Sequence, residues 1–308
     1  MGILKHPLTG RRRTLAARSL VGRAPFCVVH VDDRRVSAEH AAVFWTGVQW
    51  EVRDLGSSNG TSVNGQRIAP GERRVLGVGS ELSFGEAERW LLEDALPPVA
   101  SARCAATGEV RVAEGGLLAL PSASEPRVSI FQDEEGRWLI EAEGPARPAV
   151  DLESIDAGSP WILSVPPLGS VEVPSTLELD VRQSMLAALT LRLIVSRDEE
   201  HVALTVVRGR EVKALGARTH NYLLLALARA RLRDRDAGAL PPAEQGWMYV
   251  DEVCQALQLD AQQLTLCIYR ARNLLAQAGV ADAGTLVERR SMSHQIRLGT
   301  SQVEVVRP

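Results

Sequence analysis

Short runs of alternating apolar and polar residues, broken by turn sequences, fill the first 95 residues of the chain. The alternation is clearest at residues 40–45 and 50–55. Turn sequences, most of them built on glycine, follow at residues 56–60, 64–65, 70–71 and 77–79. Strands this short, at a spacing of about 8–12 residues, are typical of an all-β sandwich. We therefore predict such a sandwich for residues 1–95, followed by a proline-containing linker at residues 97–101.

The middle of the chain continues in the same style but is acidic. Residues 96–189 carry 6 Lys and Arg against 14 Asp and Glu, a net charge of −8, whereas residues 1–95 carry +2 and residues 190–308 carry +3. Apolar–polar runs recur at residues 117–121, 127–131, 137–142 and 160–165. We predict an acidic, β-rich segment over residues 102–180. The charge distribution indicates that the two ends of the chain, rather than its middle, meet anionic partners.

Two interpretations of the middle segment stay open. Val43, Phe44, Trp50, Ile68 and Gly71 recur as Ile130, Phe131, Trp138, Ile155 and Gly158, at a nearly constant offset of 87–88 residues. A degenerate copy of the first segment would produce this spacing, but any two β-meanders with turn residues share such a pattern. Residues 57–61 read Ser-Ser-Asn-Gly-Thr, whereas residues 144–148 read Gly-Pro-Ala-Arg-Pro, so a copy would lack the polar loop.

From about residue 190 the pattern changes to strands followed by helices. The elements predicted from apolar periodicity are strands at 191–195 and 202–207, helices at 219–235, 250–257 and 260–278, and a closing hairpin between 286 and 298. Asp260 suits the N-cap of the third helix, and Gly279 suits its end. The predicted fold is therefore multidomain: an N-terminal all-β sandwich, a β-rich middle and a C-terminal α+β domain over residues 190–308.

Four polar motifs in the first segment indicate an anion-binding edge. They are Gly22-Arg23, Ser37-Ala38-Glu39-His40, Ser57-Ser58-Asn59-Gly60-Thr61 and Asn64-Gly65. A phosphate dianion requires a fixed cation together with hydroxyl and backbone donors, and arginine supplies a rigid, always-charged guanidinium. Glycine lets a loop approach closely and adopt positive φ. The order and spacing of these motifs across residues 3–95 resemble the forkhead-associated (FHA) domain.

The FHA resemblance implies a binding site for phosphothreonine peptides. Arg23 and Ser37 would hold the phosphate, and Ser58 would add a hydroxyl. Asn59 would hydrogen-bond the peptide backbone, and Arg35 would read a residue beyond the phosphothreonine. The residues that would shape the loops without touching the ligand are Gly22, His40, Gly60, Asn64 and Gly65.

One position departs from that family. The residue after the loop serine, often Arg, Lys or Asn in FHA domains, is Ala38 in this chain. One phosphate contact is therefore expected to be missing, which would lower affinity. Taken singly, an arginine or a Ser-Ser-Asn turn would be an ordinary surface feature; the hypothesis rests on the ordered set.

The third helix and the hairpin after it resemble the winged helix-turn-helix output domain of bacterial two-component response regulators, over residues 190–300. The resemblance lies in apolar spacing, because Leu264, Ile268, Ala271 and Leu275 form one stripe along the helix. It implies that the polar side chains face base edges and phosphates and that the hairpin acts as a wing. The DNA-contacting residues implied are Gln262, Thr265, Arg270, Arg272 and Asn273 on the helix, and Arg289 and Arg290 on the hairpin.

Two features weaken the DNA interpretation. The surplus charge of residues 190–308 is only +3, whereas affinity for DNA rests on several phosphate contacts. The glycine-rich wing tip of that family is replaced at residues 291–296 by Ser-Met-Ser-His-Gln-Ile. A winged helix used for protein contacts or dimerisation is therefore the alternative.

No motif for catalysis, metal binding or membrane insertion is evident. The sequence lacks a phosphate-binding Gly-Lys loop, a nucleophile elbow and a His-Glu-x-x-His motif, so we expect no enzymatic activity. The six His and four Cys residues are scattered, which argues against a metal site and favours buried thiols. No cofactor is expected. No run reaches the ~18–20 apolar residues that span a bilayer, and no secretory signal is apparent, so we expect a cytoplasmic protein.

Together these features predict a phosphorylation-responsive signalling protein. The FHA resemblance implies a threonine-phosphorylated partner, either a Ser/Thr kinase or its substrate. The winged-helix resemblance implies transcriptional regulation through double-stranded DNA. The alternative function is a phosphopeptide-binding scaffold whose winged helix contacts proteins and does not bind DNA.

Overall fold

The computed structural model describes residues 1–86, 88–142, 144–167, 184–290 and 293–307. Residues 168–180 of the predicted middle segment, and Ser291 and Met292 of the predicted wing, lie outside the described residues. Contacts divide the chain into two compact units, of which the first comprises 1–102, 150–153 and 162–167 and the second 103–149, 154–161 and 184–307. This division differs from the three predicted segments, because most of the middle strands fall in the same unit as the C-terminal helices.

The first unit contains two sheets. One sheet consists, in order, of β2 (Arg12–Thr14), β1 (Ile3–Lys5), β11 (Glu88–Asp94), β10 (Glu81–Phe84), β7 (Thr61–Val63) and β8 (Gln66–Arg67). The other consists of β4 (Val29–His30), β3 (Arg18–Gly22), β5 (Ala41–Trp45), β6 (Trp50–Asp54) and β9 (Arg73–Leu76). The short strands and frequent turns agree with the sandwich predicted from the alternation.

The core of the first unit lies between these sheets. β6 alternates buried and more exposed residues, with Trp50 and Val52 facing inwards, as expected for a strand with one face on a core. β10 and β11 contribute Leu82, Phe84 and Trp90, which are fully buried in the same apolar cluster. Each such side chain stabilises the fold by about 1.5–3 kcal/mol relative to exposure, so the loops at the sheet edges rest on a rigid frame.

The middle of the chain forms two further four-stranded sheets. One consists, in order, of β14 (Leu117–Pro121), β15 (Pro126–Gln132), β16 (Trp138–Glu141) and β17 (Arg147–Pro148). The other consists of β13 (Val110–Val112), β12 (Ser101–Cys104), β19 (Pro160–Ser164) and β18 (Ser154–Asp156). The division between the two units falls within β12 and within β19.

The strand order of these sheets parallels that of the first unit. The order β14–β15–β16–β17 corresponds to β3–β5–β6–β9, and β13–β12–β19–β18 corresponds to β2–β1–β11–β10. The registers correspond as well, because Val43 lies opposite Val52 and Ile130 lies opposite Ile140. This correspondence supports the interpretation of the middle segment as a degenerate copy, which stays a proposal.

The C-terminal part combines two small sheets with three α-helices among its described residues. The first sheet consists of β22 (Glu211–Ala217), β21 (Val202–Arg208), β20 (Thr190–Val195) and β26 (Val303–Val306), and the second of β23 (Met248–Tyr249), β25 (Gln295–Leu298) and β24 (Val287–Arg290). The helices are α1 (Asn221–Ala237), α2 (Val250–Leu257) and α3 (Ala261–Gln277). None of the helices in the described part of the chain combines the length and apolar character needed to cross a bilayer.

Helix α3 begins and ends where its sequence indicates. Asp260 is the N-cap: its carboxylate accepts a hydrogen bond from Gln263 N at 2.7 Å, and the Gln263 side chain accepts one from Asp260 N at 2.9 Å. Past the C-terminus, Gly279 adopts a φ of 90°, which an L side chain would strain. The predicted apolar stripe is buried in the core of the second unit.

Candidate functional site

Two loops meet at one edge of the first unit, and the buried side chain of His40 joins them. Its Nδ1 accepts a hydrogen bond from the backbone N–H of Ser37 at 3.2 Å, and its Nε2 lies 3.1 Å from the carbonyl oxygen of Gly60. Because one nitrogen faces a donor and the other faces an acceptor, the ring is neutral with its proton on Nε2. His40 thus connects the loop before β5 with the loop after β6.

The same two loops bring two serines together. The hydroxyl oxygen of Ser37 accepts a hydrogen bond from the backbone N–H of Ser58 at 3.2 Å, which leaves the Ser37 hydroxyl proton available for a ligand. The Ser58 side chain is exposed beside it. Asn59 Nδ2 donates to the carbonyl oxygen of Arg35 at 2.7 Å. The Asn59 amide therefore links the loops, whereas the sequence predicts a contact with peptide backbone.

A buried carboxylate, Asp54, organises the loop after β6. Its Oδ1 accepts from the N–H groups of Gly56 and Ser57 at 2.8 and 2.9 Å. Its Oδ2 accepts from the hydroxyls of Ser57 and Thr61 at 2.6 and 2.7 Å. Burial raises the pKa of Asp54, but the four hydrogen bonds outweigh burial and leave the pKa below its usual value.

Sequence reasoning missed Asp54. The signal that could have identified it is an aspartate at the end of a strand, two positions before a Gly-Ser turn. Aspartate accepts hydrogen bonds from backbone groups two or three residues further along the chain, and such bonds fix tight turns.

The loop after β3 approaches the same edge and carries Arg23. The Arg23 N–H donates to the carbonyl oxygen of Ser37 at 2.9 Å, which holds the two loops side by side. Gly22 is required there, because a Cβ would lie 2.9 Å from the carbonyl carbon of Ala38. The Arg23 side chain is exposed, and it makes no hydrogen bond or ion pair with any residue that the structure describes. Its charge is free for a ligand.

Arg35 has a different environment from the one that the FHA resemblance implies. Its guanidinium pairs with Asp33 through Nε at 3.1 Å and Nη2 at 2.8 Å, and Nη1 reaches the carbonyl oxygen of Glu86 at 3.4 Å. This pairing holds the pKa of Asp33 at about 2. Contact with a peptide would therefore have to compete with the internal carboxylate.

The remaining predicted loop residues shape the backbone. Gly60 has a φ of +82°, a backbone conformation that glycine adopts without strain. Asn64 and Gly65, with φ values of 51° and 78°, form the two-residue turn between β7 and β8 that positive φ at both positions permits. The Asn64 side chain also accepts a hydrogen bond from Glu81 N at 2.8 Å.

The expectation of an exposed Arg272 on α3 is wrong in this structure. Arg272 is fully buried, and its Nη1 and Nη2 each donate to a carboxylate oxygen of Glu141 on β16 at 3.0 Å. Its guanidinium also lies 4.6 Å from the centre of the Phe131 ring. Arg289 donates to the same Glu141 carboxylate at 3.2 Å and is 9% exposed, so it is not a free wing cation either.

The other residues expected to contact DNA do not form one exposed surface. Gln262 reaches Glu125 at 3.4 Å, the Thr265 hydroxyl donates to the carbonyl oxygen of Ala261, and Arg290 pairs with Glu244 at 2.7 Å. Arg270 is exposed and Asn273 is half-buried. Tyr269, on the face of α3 that also carries Arg272, packs into an apolar cluster with Leu117, Ala119 and Phe131 of the middle sheet. The physical reason is that β14 and β15 cover this face of α3.

Comparison with known proteins supports the N-terminal assignment. Residues 20–85 match the family model of the FHA domain, so this part of the chain is an FHA domain. The FHA domain-containing protein FhaB of Mycobacterium tuberculosis is 37% identical over 72 residues, covering 23% of this chain and 46% of the relative. The oxoglutarate dehydrogenase inhibitor of Corynebacterium jeikeium is 42% identical over 65 residues, covering 21% of this chain and 43% of the relative.

Among solved structures, a similar chain is Mycobacterium tuberculosis EmbR in complex with a low-affinity phosphopeptide. It is 27% identical, with a TM-score of 0.29, and the match covers 31% of this chain and 25% of EmbR. The match with each of the two curated relatives spans less than half of the relative's own length.

The environment of His40 predicts a pH dependence. Burial lowers the pKa of His40 below its ordinary value of 6.5, although the hydrogen bond to Gly60 and the charge of Asp54 act in the opposite direction. The unfolded chain therefore takes up a proton before the folded one does. Urea unfolding followed at a series of pH values should show the free energy of unfolding falling as pH drops below 6.5, by at most about 1.4 kcal/mol per pH unit.

His40→Gln is the matched control, because a glutamine amide offers an acceptor and a donor but does not titrate in this range. The decline should be smaller in this variant. An equal decline in the variant and the wild type would assign the pH dependence to other groups.

The buried ion pairs of Glu141 predict a large effect on stability. Glu141→Ala would leave the guanidinium of Arg272 buried without its carboxylate, and breaking such a pair costs about 3–5 kcal/mol. Chemical denaturation should show this loss in the transition of the second unit. Glu134→Ala, which removes an exposed carboxylate two positions after the end of β15, should change the free energy of unfolding by less than about 0.5 kcal/mol. Similar midpoints for the two variants would contradict the assignment.

Proposed function

We propose that the chain is a phosphothreonine-dependent signalling adaptor that docks on a threonine-phosphorylated partner protein. The observation that supports the proposal is the meeting of the three loops that carry Arg23, Ser37 and Ser58: the Arg23 N–H donates to the carbonyl oxygen of Ser37, and the Ser58 N–H donates to the Ser37 hydroxyl. A phosphate dianion requires such a cation with hydroxyl donors around it. The match of residues 20–85 to the FHA domain supports the same function.

The loops are organised before any ligand binds. His40 and Asp54 use all their hydrogen-bonding capacity on the loops, so little ordering remains to be done when a phosphate arrives. Preorganised donors raise affinity because the entropy of ordering is not lost on binding. The absence of a polar side chain at Ala38 removes one donor, which is consistent with a moderate affinity and a reversible signalling contact.

The partner is, by this proposal, a Ser/Thr kinase or one of its substrates, met in the cytoplasm. An adaptor of this kind contributes recognition and no chemistry. Both the identity of the partner's class and the cytoplasmic location follow from the sequence-based expectations and stay predictions.

For the C-terminal part we propose the scaffold alternative over transcriptional regulation. Two of the cations expected to meet DNA, Arg272 and Arg289, are neutralised by Glu141, and Tyr269 is buried on the same face of α3. Non-specific affinity for DNA depends on several cations that reach phosphates. With this face covered, α3 supports the packing of the middle sheet.

Substitution of Arg23 tests the proposed site. Arg23→Ala should weaken binding of a phosphothreonine peptide by at least about tenfold, because a hydrogen bond between charged groups contributes about 1.5–3 kcal/mol. A peptide array of cell-derived phosphosites would identify a ligand. Fluorescence anisotropy would then measure its affinity. The unphosphorylated peptide should not bind.

Arg18→Ala is the control, since it removes the same charge from an exposed position at the other end of β3. It should bind as the wild type does. If Arg23→Ala also binds as the wild type does, while its thermal unfolding is unchanged, the site assignment is wrong.

A mobility-shift assay distinguishes the scaffold from the transcriptional regulator. The wild-type chain should not retard promoter or random-sequence duplex DNA, even at about 50 mM salt, where phosphate contacts are strongest. Retardation of DNA by the wild type that is lost in Arg270→Ala or Arg290→Ala would restore the regulator hypothesis.

A further inference from the structure

A second exposed guanidinium lies at the candidate site, and none of the predictions from the sequence included it. Arg67 is the second residue of β8, the strand that follows the Asn64-Gly65 turn. In the hairpin it lies opposite Ser62. The hairpin therefore folds residue 67 back towards the loop that carries Ser58 and Asn59. The tight turn at residues 64–65 is what makes this return possible.

Arg67 rests directly on that loop. A Cβ on Gly60 would lie 2.6 Å from Arg67 Nη2 and 2.7 Å from Arg67 Cζ, so the guanidinium lies across the bare Cα of Gly60. Any other residue at position 60 would displace it. Gly60 thus has two roles: its positive φ shapes the loop, and its missing side chain seats the arginine.

No carboxylate among the described residues pairs with Arg67. The side chain is exposed and makes no hydrogen bond or ion pair with the residues described. Three other arginines of the unit differ in this respect, since Arg35 pairs with Asp33, Arg74 with Glu72 and Arg89 with Glu81. A free cation held against a binding loop attracts an anionic group of the ligand, because a guanidinium presents its donors in a geometry that matches carboxylate and phosphate.

We propose that Arg67 selects phosphothreonine peptides that carry a second anionic group close to the phosphothreonine. This inference rests on the proposed function, because it assumes that the phosphate binds between Arg23, Ser37 and Ser58. The second anion is the carboxylate of an Asp or Glu side chain or a second phosphate. Arg35, which the FHA resemblance implies as the reader of the flanking residue, is the competing candidate, but Asp33 already occupies its guanidinium.

The test uses the full chain and phosphothreonine peptides with an otherwise uncharged flanking sequence. In the first series, each peptide carries a single Glu at one position between five before and five after the phosphothreonine. In the second series, phosphoserine takes the place of that Glu. Affinity is measured by fluorescence anisotropy for each peptide. The wild type should prefer an anion at one or two positions by up to about fivefold, since a pair of charges at an exposed site contributes up to about 1 kcal/mol.

Three variants assign the preference to a residue. Arg67→Gln should bind the uncharged-flank peptide within about twofold of the wild type but lose the preference for Glu. Arg67→Glu should instead prefer a peptide with Lys at the same position, a reversal that a merely structural role of Arg67 would not produce. Arg89→Gln, the matched control on β11, should keep the wild-type preference.

Each outcome decides the proposal. Preference for phosphoserine without preference for Glu would identify the second anion as a phosphate. Loss of preference in Arg35→Gln with retention in Arg67→Gln would overturn the inference in favour of Arg35, and the absence of any positional preference in the wild type would overturn it outright. Failure of the wild type to bind any phosphothreonine peptide would refute the proposed function as well. If Arg67→Gln unfolds, Arg67→Lys retains the charge and should retain a weakened preference.

Discussion

The neutral imidazole of His40 is the contact on which the candidate site depends. A buried polar group without a partner costs about 1–3 kcal/mol, and this ring satisfies both of its nitrogens only while the two loops stay at their present separation. The contact between Ser37 and Ser58 depends on the same separation, because it joins the same two loops. A single buried side chain thereby sets the geometry of the hydroxyls that would face a phosphate, without occupying any of the space that the ligand needs.

Charge is distributed on this edge in a way that favours an anion. The carboxylate of Asp54 lies beneath the loop, where four donors from the loop satisfy it, so its charge does not reach the surface. Arg23 and Arg67 lie on the outside with no carboxylate partner among the described residues. The loop after β6 therefore takes its order from a buried anion, while the cations of two neighbouring segments face solvent.

Sequence reasoning predicted the first unit well because its information is local. Alternation identifies the strands, and the Asn64-Gly65 turn and the ordered motifs identify the loops. Contacts between side chains could not be predicted in the same way. Arg35 and Asp33 are only two residues apart, but their pairing depends on the direction of the backbone between them. The position of Arg67 against Gly60 depends on the path of the chain after the hairpin turn. For α3, periodicity located the apolar stripe correctly, yet it could not show that the neighbouring face, with Tyr269 and Arg272, is covered too. The partner of Arg272 lies 131 residues away, on a strand of the middle sheet.

Asp54 and Glu141 are buried carboxylates that the molecule satisfies in different ways. Both are buried acids at the end of corresponding strands, β6 and β16. The loop after β6 supplies hydroxyls and free N–H groups, and it satisfies Asp54 by itself. The sequence Gly-Pro-Ala-Arg-Pro at residues 144–148 contains no hydroxyl, and its two prolines have no N–H to donate. A buried carboxylate at that position requires cations from elsewhere, and Arg272 and Arg289 provide them. Asp54 and Glu141 thus show two ways of satisfying a buried carboxylate: the loop that follows its own strand satisfies Asp54, whereas arginines far along the chain satisfy Glu141 and fix β16 to α3.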